Sequence, residues 1–289
     1  MKILLVNPPI NAPGGINGHY KGLKPYFSKE IIYHNYFQSK NTLINKLILP
    51  FNLLWLLISI IRKSPDRILI NTSLKAGILS RLVYCNFCQI FGFKVILFIH
   101  GWNNEQEDLL DLKYVKYTLN KCNLIIVLSK KFETVLKEKK IISNITISST
   151  KVDDWLVKDF KIERRQGYIK NFLFVSRLEK GKGIYEALEV FKKLQEKVSD
   201  IKFTIVGNGT EYLNIKEKVE TEKIKNVFLK GNLEGKALQK EFQNADFFFL
   251  LSYSEGLPAA LLEAMAFGLP VATRPVGGIK DFFEDKNIG

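Results

Sequence analysis

The chain has little of what marks several common protein classes. Of its 289 residues only three are cysteine, three histidine and two methionine. Three cysteines make an odd count without framework spacing, which argues against a disulfide scaffold and fits a reducing compartment. Cys85-x-x-Cys88 falls within residues 78–91, which read as helix, and no second pair or neighbouring histidine completes a zinc site. Core thiols are therefore expected. There is no Asp-x-Asp pair, no zinc-finger spacing and no aromatic RNA-binding signature, so nucleic acid is not an expected partner. The first apolar run, residues 3–6, ends at Pro8 and Pro9 and is too short for a secretory h-region. The most apolar segment, residues 48–61, contains Pro50 and Asn52 and falls short of the roughly 20 residues that span a bilayer. These absences lead to the expectation of a cytoplasmic chain.

What is present is ordinary in amount and uneven in distribution. Apolar residues make up 46% and charged residues 25% of a chain long enough for two domains. Residues 1–165 carry 25 Lys/Arg against 12 Asp/Glu, a net +13, whereas residues 166–289 carry 18 against 17, a net +1. The basic half calls for an acidic counterpart, such as a phosphorylated substrate or an anionic membrane surface, with a merely solvated face as the plain alternative. Residues 48–61 read as a core helix against a sheet. A helix lying in a membrane interface is the second reading, favoured by Trp55 and by the flanking Lys46, Arg62 and Lys63.

Strand and helix patterns alternate along both halves. Strands are expected at 2–7, 67–71, 94–99 and 124–128, with helices at 76–91, 109–121 and 130–140, the last capped by Ser129. The rhythm breaks over residues 144–170, and the domain boundary is placed near 150–168, giving domains 1–160 and 161–289. A second series follows, with strands at 171–175, 202–206, 227–230 and 246–251 and helices at 184–198, 212–222 and 237–244. Alternation of this kind predicts an α/β chain with two parallel sheets covered by helices.

Three stretches carry chemistry. Residues 252–268 read S-Y-S-E-G-L-P-A-A-L-L-E-A-M-A-F-G. Pro258 suits the first turn of a helix that Gly268 and Pro270 stop. From Ala259 to Phe267 only Glu263 is polar, so the helix should be buried on nearly all sides, and its carboxylate needs a cation, a hydroxyl-rich ligand or a gap to solvent. The strand at 171–175 runs into S-R-L-E-K-G-K-G-I, where Arg177 and Lys182 flank a Gly-containing turn that feeds a helix. Two cations at such a turn make a diphosphate site. His100 ends its strand at the edge where open α/β sheets bind ligands, and structural and functional readings of it both stand. Gly14 and Gly15, after the first strand, could admit a phosphate, although such loops are common.

Together the R-L-E-K-G-K-G loop, the V-G-N-G turn at 206–209, S-E-G-L-P-A-A-L-L-E-A-M-A-F-G-L-P-V-A-T and G-G-I-K-D, with the earlier P-G-G and I-H-G, resemble the retaining glycosyltransferases of family 4. The resemblance covers essentially the whole chain and is most specific in the second half. It implies a GT-B fold, two Rossmann-like domains facing each other across a cleft. It also implies a nucleotide-sugar donor of UDP or GDP type and a glycan or lipid-linked acceptor in bacterial surface-polysaccharide assembly, with no metal or other cofactor. Arg177 and Lys182 would bind and stabilise the leaving diphosphate. Glu263 would accept from the ribose hydroxyls, and Glu255 would contact the donor sugar. The segment Gly256, Leu257, Pro258, Ala259 and Leu262 would line the sugar and phosphate, with backbone amides offered by Gly256, Leu257 and Ala259. Gly14 and Gly15 would approach the diphosphate from the other domain, and His100 would face the transferred sugar. The base would lie near Gly207 and the strand ending at Lys230. Family members run on beyond the G-G-I-K-D region, so the resemblance implies a chain shortened at its C-terminus. A nucleotide-sugar binder without turnover and a GT-B epimerase of UDP-sugars are the alternatives; the second needs extra acid/base carboxylates, and none is assignable.

Overall fold

A computed structural model of the chain describes residues 1–7, 15–27, 30–37, 39, 41–74, 78–160 and 168–282. The chain divides into two compact units, Met1–Lys151 and Val152–Gly289. The first contains β1 (Lys2–Asn7), α1 (Gly15–Leu23), β2 (Glu30–Asn35), α2 (Thr42–Lys63), β3 (Arg67–Leu74), α3 (Ile78–Ile90), β4 (Val95–Trp102), α4 (Lys113–Asn120), β5 (Leu124–Val127), α5 (Lys130–Glu138) and β6 (Ile145–Ile147). The second contains β7 (Asn171–Val175), α6 (Ile184–Gln195), β8 (Lys202–Val206), α7 (Tyr212–Thr221), β9 (Val227–Leu229), α8 (Gly235–Asn244), β10 (Phe247–Leu250), α9 (Ala259–Ala266), β11 (Val271–Thr273) and α10 (Ile279–Phe282).

Each unit is built on one sheet whose described pairings are all parallel. The order is β2-β1-β3-β4-β5-β6 in the first and β11-β10-β7-β8-β9 in the second. The central strands are near-continuous apolar runs because helices cover both faces of a parallel sheet. Leu4, Leu5 and Val6 of β1 and Ile68 and Ile70 of β3 are fully buried. In the second unit the sheet core is aromatic: Phe172 stacks on Phe249 at 5.4 Å, and Phe242 of α8 stacks on Phe267 at 5.2 Å. Ser129 caps α5 as the sequence implies, its hydroxyl accepting from the Phe132 amide at 3.2 Å. Cys85, Cys88 and Cys122 are free, buried thiols.

The unit boundary falls at Lys151/Val152, nine residues before the break at 160/161 read from the sequence. Leu156 enters the second unit's core, Phe160 packs on Phe267 at 4.6 Å, and the Gln239 side chain donates to the Leu156 carbonyl at 2.8 Å. These contacts draw residues 152–160 to the second unit before its first strand begins.

The apolar segment at 48–61 is not the core helix expected. It is part of a 22-residue helix, α2, and Leu43–Lys63 is long and apolar enough to cross a membrane by length and composition. Pro50 sits on the exposed side of this helix without ending it, and Asn41 caps its start by accepting from the Leu43 amide at 2.9 Å. Only a narrow face, with Asn52, Leu56 and Ile60, is buried.

Candidate functional site

The carboxyl ends of the second unit's strands bring three loops together. β7 leaves its apolar run at Val175, and Ser176–Leu178 lies beside the turn that follows β8. Ser176 donates its amide to the Val206 carbonyl at 3.1 Å, and Leu178 donates to the Asn208 carbonyl at 3.0 Å. Gly207, at φ +136°, has the Ser176 carbonyl where a Cβ would stand, and Gly209 has the Leu178 carbonyl there. Both glycines therefore have a packing reason in this turn: they let it lie against the cation-bearing loop.

That loop tightens into a single 3-10 turn, Lys180–Lys182, and enters α6 through Gly183 at φ +74°. A Cβ at Gly183 would strike the Leu251 carbonyl, so the residue also seats this loop against the end of β10. Tyr253 donates its amide to the Gly181 carbonyl at 3.0 Å. Across this junction Lys182 Nζ meets Glu255 Oε1 at 2.7 Å, with the two side chains only 15% and 11% exposed. Arg177 instead pairs with Glu179 at 2.7 Å on an open surface. Thus Arg177 and Lys182 are each held by a carboxylate, one pair solvated and one sheltered. An incoming diphosphate would compete with Glu255 for Lys182.

The G-G-I-K-D segment holds the Glu255 loop from below. Gly278 donates its amide to the Gly256 carbonyl at 2.6 Å, and a Cβ on Gly277, at φ +55°, would strike the Glu255 carbonyl. Sequence reading matched this segment and gave it no role. It also passed over Arg274, which follows β11 as Arg177 follows β7. The Arg274 guanidinium lies 3.9 Å over the Tyr253 ring and 3.7 Å from Glu186, so a further cation stands at the same edge of the sheet. The available signal was its place one residue beyond a strand's carboxyl end.

Pro258 forms the N-cap of α9, and its carbonyl accepts from the amides of Leu261 and Leu262 at 3.2 and 3.4 Å. Gly256 and Leu257 are buried, whereas Ala259 and Leu262 are half-buried. The helix is less enclosed than its composition predicts, since only Leu261 and Ala264 in it are fully buried. Glu263 is half-buried and, among the described residues, no cation pairs with it. Burial, reinforced by the nearby Asp153 charge, pushes its carboxyl up to about 7. Desolvation thus acts on Glu263 without the compensating cation that one reading of the sequence called for.

Lys230 does not join these loops through its side chain. Its Nζ lies 3.9 Å from Glu241, and it lines a groove of about 220 Å³ with Asn171, Lys202, Thr204 and Phe228 on the sheet face beside α8. Asn171 and Lys202 open their strands, so this groove extends toward the amino ends of β7 and β8.

In the first unit His100 lies inside β4, which continues two residues beyond it to Trp102, whereas the sequence placed it at the strand's end. It stacks on Phe98 at 3.7 Å, and its Nε2 meets Asn71 Oδ1 at 2.8 Å; the Tyr20 hydroxyl donates to the same oxygen at 2.8 Å. Burial and the neighbouring His19 hold the His100 pKa well below the usual imidazole value, so the ring is neutral near pH 7. Asn7 Nδ2 donates to Asn17 Oδ1 at 2.7 Å. Asn7 Oδ1 and Asn71 Nδ2 are buried without a hydrogen-bond partner among the described residues. This polar group at the ends of β1, β3 and β4 was not read from the sequence beyond His100. Gly15 opens α1, and Gly14 lies outside the described residues. Among the described residues no group of three His, Cys, Asp or Glu side chains could hold a metal ion.

Two parallel-sheet Rossmann-like units, with loops gathered at the carboxyl ends of the second sheet, are the architecture of GT-B glycosyltransferases. Residues 158–289, most of the second unit, match the family model described as glycosyl transferases group 1. A glycosyltransferase of Haemophilus influenzae is 32% identical over 181 residues, covering 61% of this chain and 48% of the relative. The amylovoran biosynthesis glycosyltransferase AmsK of Erwinia amylovora is 32% identical over 124 residues, covering 40% of this chain and 30% of the relative. The chain thus spans less than half the length of these relatives. Among solved structures, HepE of Anabaena in complex with UDP aligns with a TM-score of 0.69 at 15% identity, covering 99% of this chain and 84% of that one.

Proposed function

We propose that the chain transfers a sugar from a nucleoside diphosphate sugar, of UDP or GDP type, to a glycan or lipid-linked acceptor in bacterial surface-polysaccharide synthesis. The observation that carries this reading is the sheltered Lys182–Glu255 pair at the junction of the β7–α6 and β10–α9 loops, inside the region that matches the group 1 family. Cleaving a glycosyl–phosphate bond leaves negative charge on the diphosphate and positive charge on the sugar. Cations already fixed where the diphosphate charge grows stabilise that state without reorganisation. Arg177 and Lys182 take this role. When the diphosphate draws Lys182 away, the Glu255 carboxylate is released to accept from the sugar hydroxyls beside it. Glu263, lacking a cation among the described residues, accepts from the ribose hydroxyls, and Gly256 and Ala259 offer backbone amides where α9 begins. In this reading the diphosphate charge is carried by side chains, with no metal. The leaving phosphate takes the acceptor proton on the departing face, which retains the anomeric configuration.

The AmsK similarity supports an acceptor in polysaccharide synthesis, and the HepE likeness makes UDP the first nucleotide to test. The free, buried thiols accord with a cytoplasmic site of reaction. The test is transfer from a panel of UDP- and GDP-sugars by the wild-type chain and by Arg177→Ala and Lys182→Ala, with the product anomer read by NMR. Loss of transfer in both variants and a retained anomer are expected. Near-normal turnover in either variant refutes the diphosphate assignment, and an inverted product refutes retention. Donor binding without transfer or donor hydrolysis would point instead to a nucleotide-sugar binder.

A further inference from the structure

The longest helix of the first unit has its polarity reversed. Helices on a soluble α/β sheet turn apolar residues inward and polar ones outward. On α2 the inward face carries Asn52, Leu56, Ser59 and Ile60. Asn52 clasps the Phe37 backbone, donating to its carbonyl and accepting from its amide, each at 2.9 Å, and Ser59 Oγ meets His34 Nδ1 at 2.9 Å. The outward face is apolar along its length: Leu43, Leu47, Phe51, Leu54 and Ile61 recur every three to seven residues, and Leu47 and Phe51 are each 72% exposed. Trp55 borders this stripe at 44% exposure, and Phe37, beside Asn52, extends it at 70%. A contiguous exposed patch of this kind marks a docking surface.

Charge selects the occupant. Of the first 100 residues twelve are Lys or Arg and only two, Glu30 and Asp66, are acidic. Lys46, Arg62 and Lys63, all exposed, lie on α2 itself. A second copy of the same face would bring like charges together. A bilayer-spanning role is opposed by the inward face, since Asn52 and Ser59 bind the β2 end of the sheet and would have to abandon those partners. An apolar stripe bordered by Trp and flanked by cations is the composition of a helix lying in a lipid interface.

We propose that α2 docks the first unit onto an anionic membrane surface, with Leu47, Phe51 and Leu54 in the lipid interface and Lys46, Arg62 and Lys63 at the headgroups. This inference stands apart from the donor chemistry, since it involves no residue of the second unit.

The test is flotation of the full chain with vesicles of phosphatidylcholine alone or mixed with equal phosphatidylglycerol, at low and high salt. Wild type should float with the mixed vesicles, less so at high salt and least with phosphatidylcholine alone. The double variant Phe51→Glu, Leu54→Glu should lose at least about tenfold in partition. Changing Lys46, Arg62 and Lys63 to Gln should reduce partition onto mixed vesicles by about fivefold per charge and weaken the salt dependence. All these positions are exposed, so circular dichroism and thermal midpoint should match wild type. A chain that stays unbound at low salt overturns the proposal. So does equal flotation of the Phe51→Glu, Leu54→Glu variant, or a dimer in sedimentation that this variant dissociates while vesicles bind neither protein.

Discussion

In the second unit, α6 turns Ile184, Ala187, Leu188 and Phe191 to its sheet and leaves Glu189, Lys192 and Lys193 on other faces. In the first unit, α2 commits Asn52 and Ser59 to the sheet side and leaves Leu47 and Phe51 exposed. The same parallel-sheet plan thus supports two different surfaces. The second unit carries a near-neutral charge balance, and Arg177 and Lys182 at its strand ends are paired with Glu179 and Glu255. The first carries the excess positive charge and an open apolar stripe. Similar helices on similar sheets therefore diverge through which face the sheet claims, and mean apolarity alone does not foretell it.

Several changes would break or sharpen this contrast. The largest effect is expected at the paired cations. Arg177→Ala and Lys182→Ala should each lower sugar transfer by about 10²- to 10³-fold, measured as kcat/KM. Their stabilities should differ. Arg177 is 59% exposed, so its loss should shift urea unfolding by no more than about 0.5 kcal/mol. Losing Lys182 leaves Glu255 sheltered and unpaired, at a cost of about 3 kcal/mol.

Glu263 gives the next effect, with a defined sign. Its carboxyl is raised from the ordinary 4.5 to about 7 in the folded state, so between those values the folded chain holds more protons than the unfolded chain. Stability conferred by the neutral form is present at low pH and is lost as pH rises through 7. Glu263→Gln should accordingly stabilise the second unit by about 3 kcal/mol at pH 8 and by little at pH 4, read from thermal or urea unfolding. The same variant should weaken nucleotide binding if the carboxylate meets ribose.

Glycine offers a smaller comparison across the units. Gly183 and Gly92 share a left-handed backbone, at φ +74° and +76°, but a Cβ at Gly183 meets the Leu251 carbonyl and one at Gly92 meets open space. Gly183→Ala should cost more than about 2 kcal/mol and Gly92→Ala about 1 kcal/mol. The smallest effect is expected on the α2 stripe. Leu47→Gln should change unfolding by no more than about 0.5 kcal/mol, whereas Leu188→Ala in α6 should cost about 3 kcal/mol.

The strands at the centre of each sheet were legible because residues such as Leu4–Val6 and Phe172–Phe174 are unbroken apolar runs ended by Pro, Gly or Ser. β2, Glu30–Asn35, carried too weak a pattern: it is an edge strand whose residues are mostly half-exposed. α2 was legible as apolar but misassigned to the core, since composition does not say which face a sheet will claim. At the candidate site Arg177, Lys182, Glu255 and Glu263 stood out as charges in turns or on an apolar helix. Their pairing did not. The Lys182–Glu255 contact joins residues 73 positions apart, and only the parallel register of β7 and β10 brings their loops together. Arg274 and the buried Asn7 and Asn71 were passed over because an isolated polar residue at a strand end looks like any loop residue until the neighbouring strands are in place.

The central claim is that the loops of the second unit receive a nucleoside diphosphate where Lys182 now holds Glu255. Calorimetric titration of UDP and GDP into the wild-type and Lys182→Ala chains at neutral pH tests it most directly. Wild type should bind one of the two nucleotides, and the variant should bind it at least about tenfold more weakly. Equal affinity in both chains, or no binding of either nucleotide to wild type, would contradict the account.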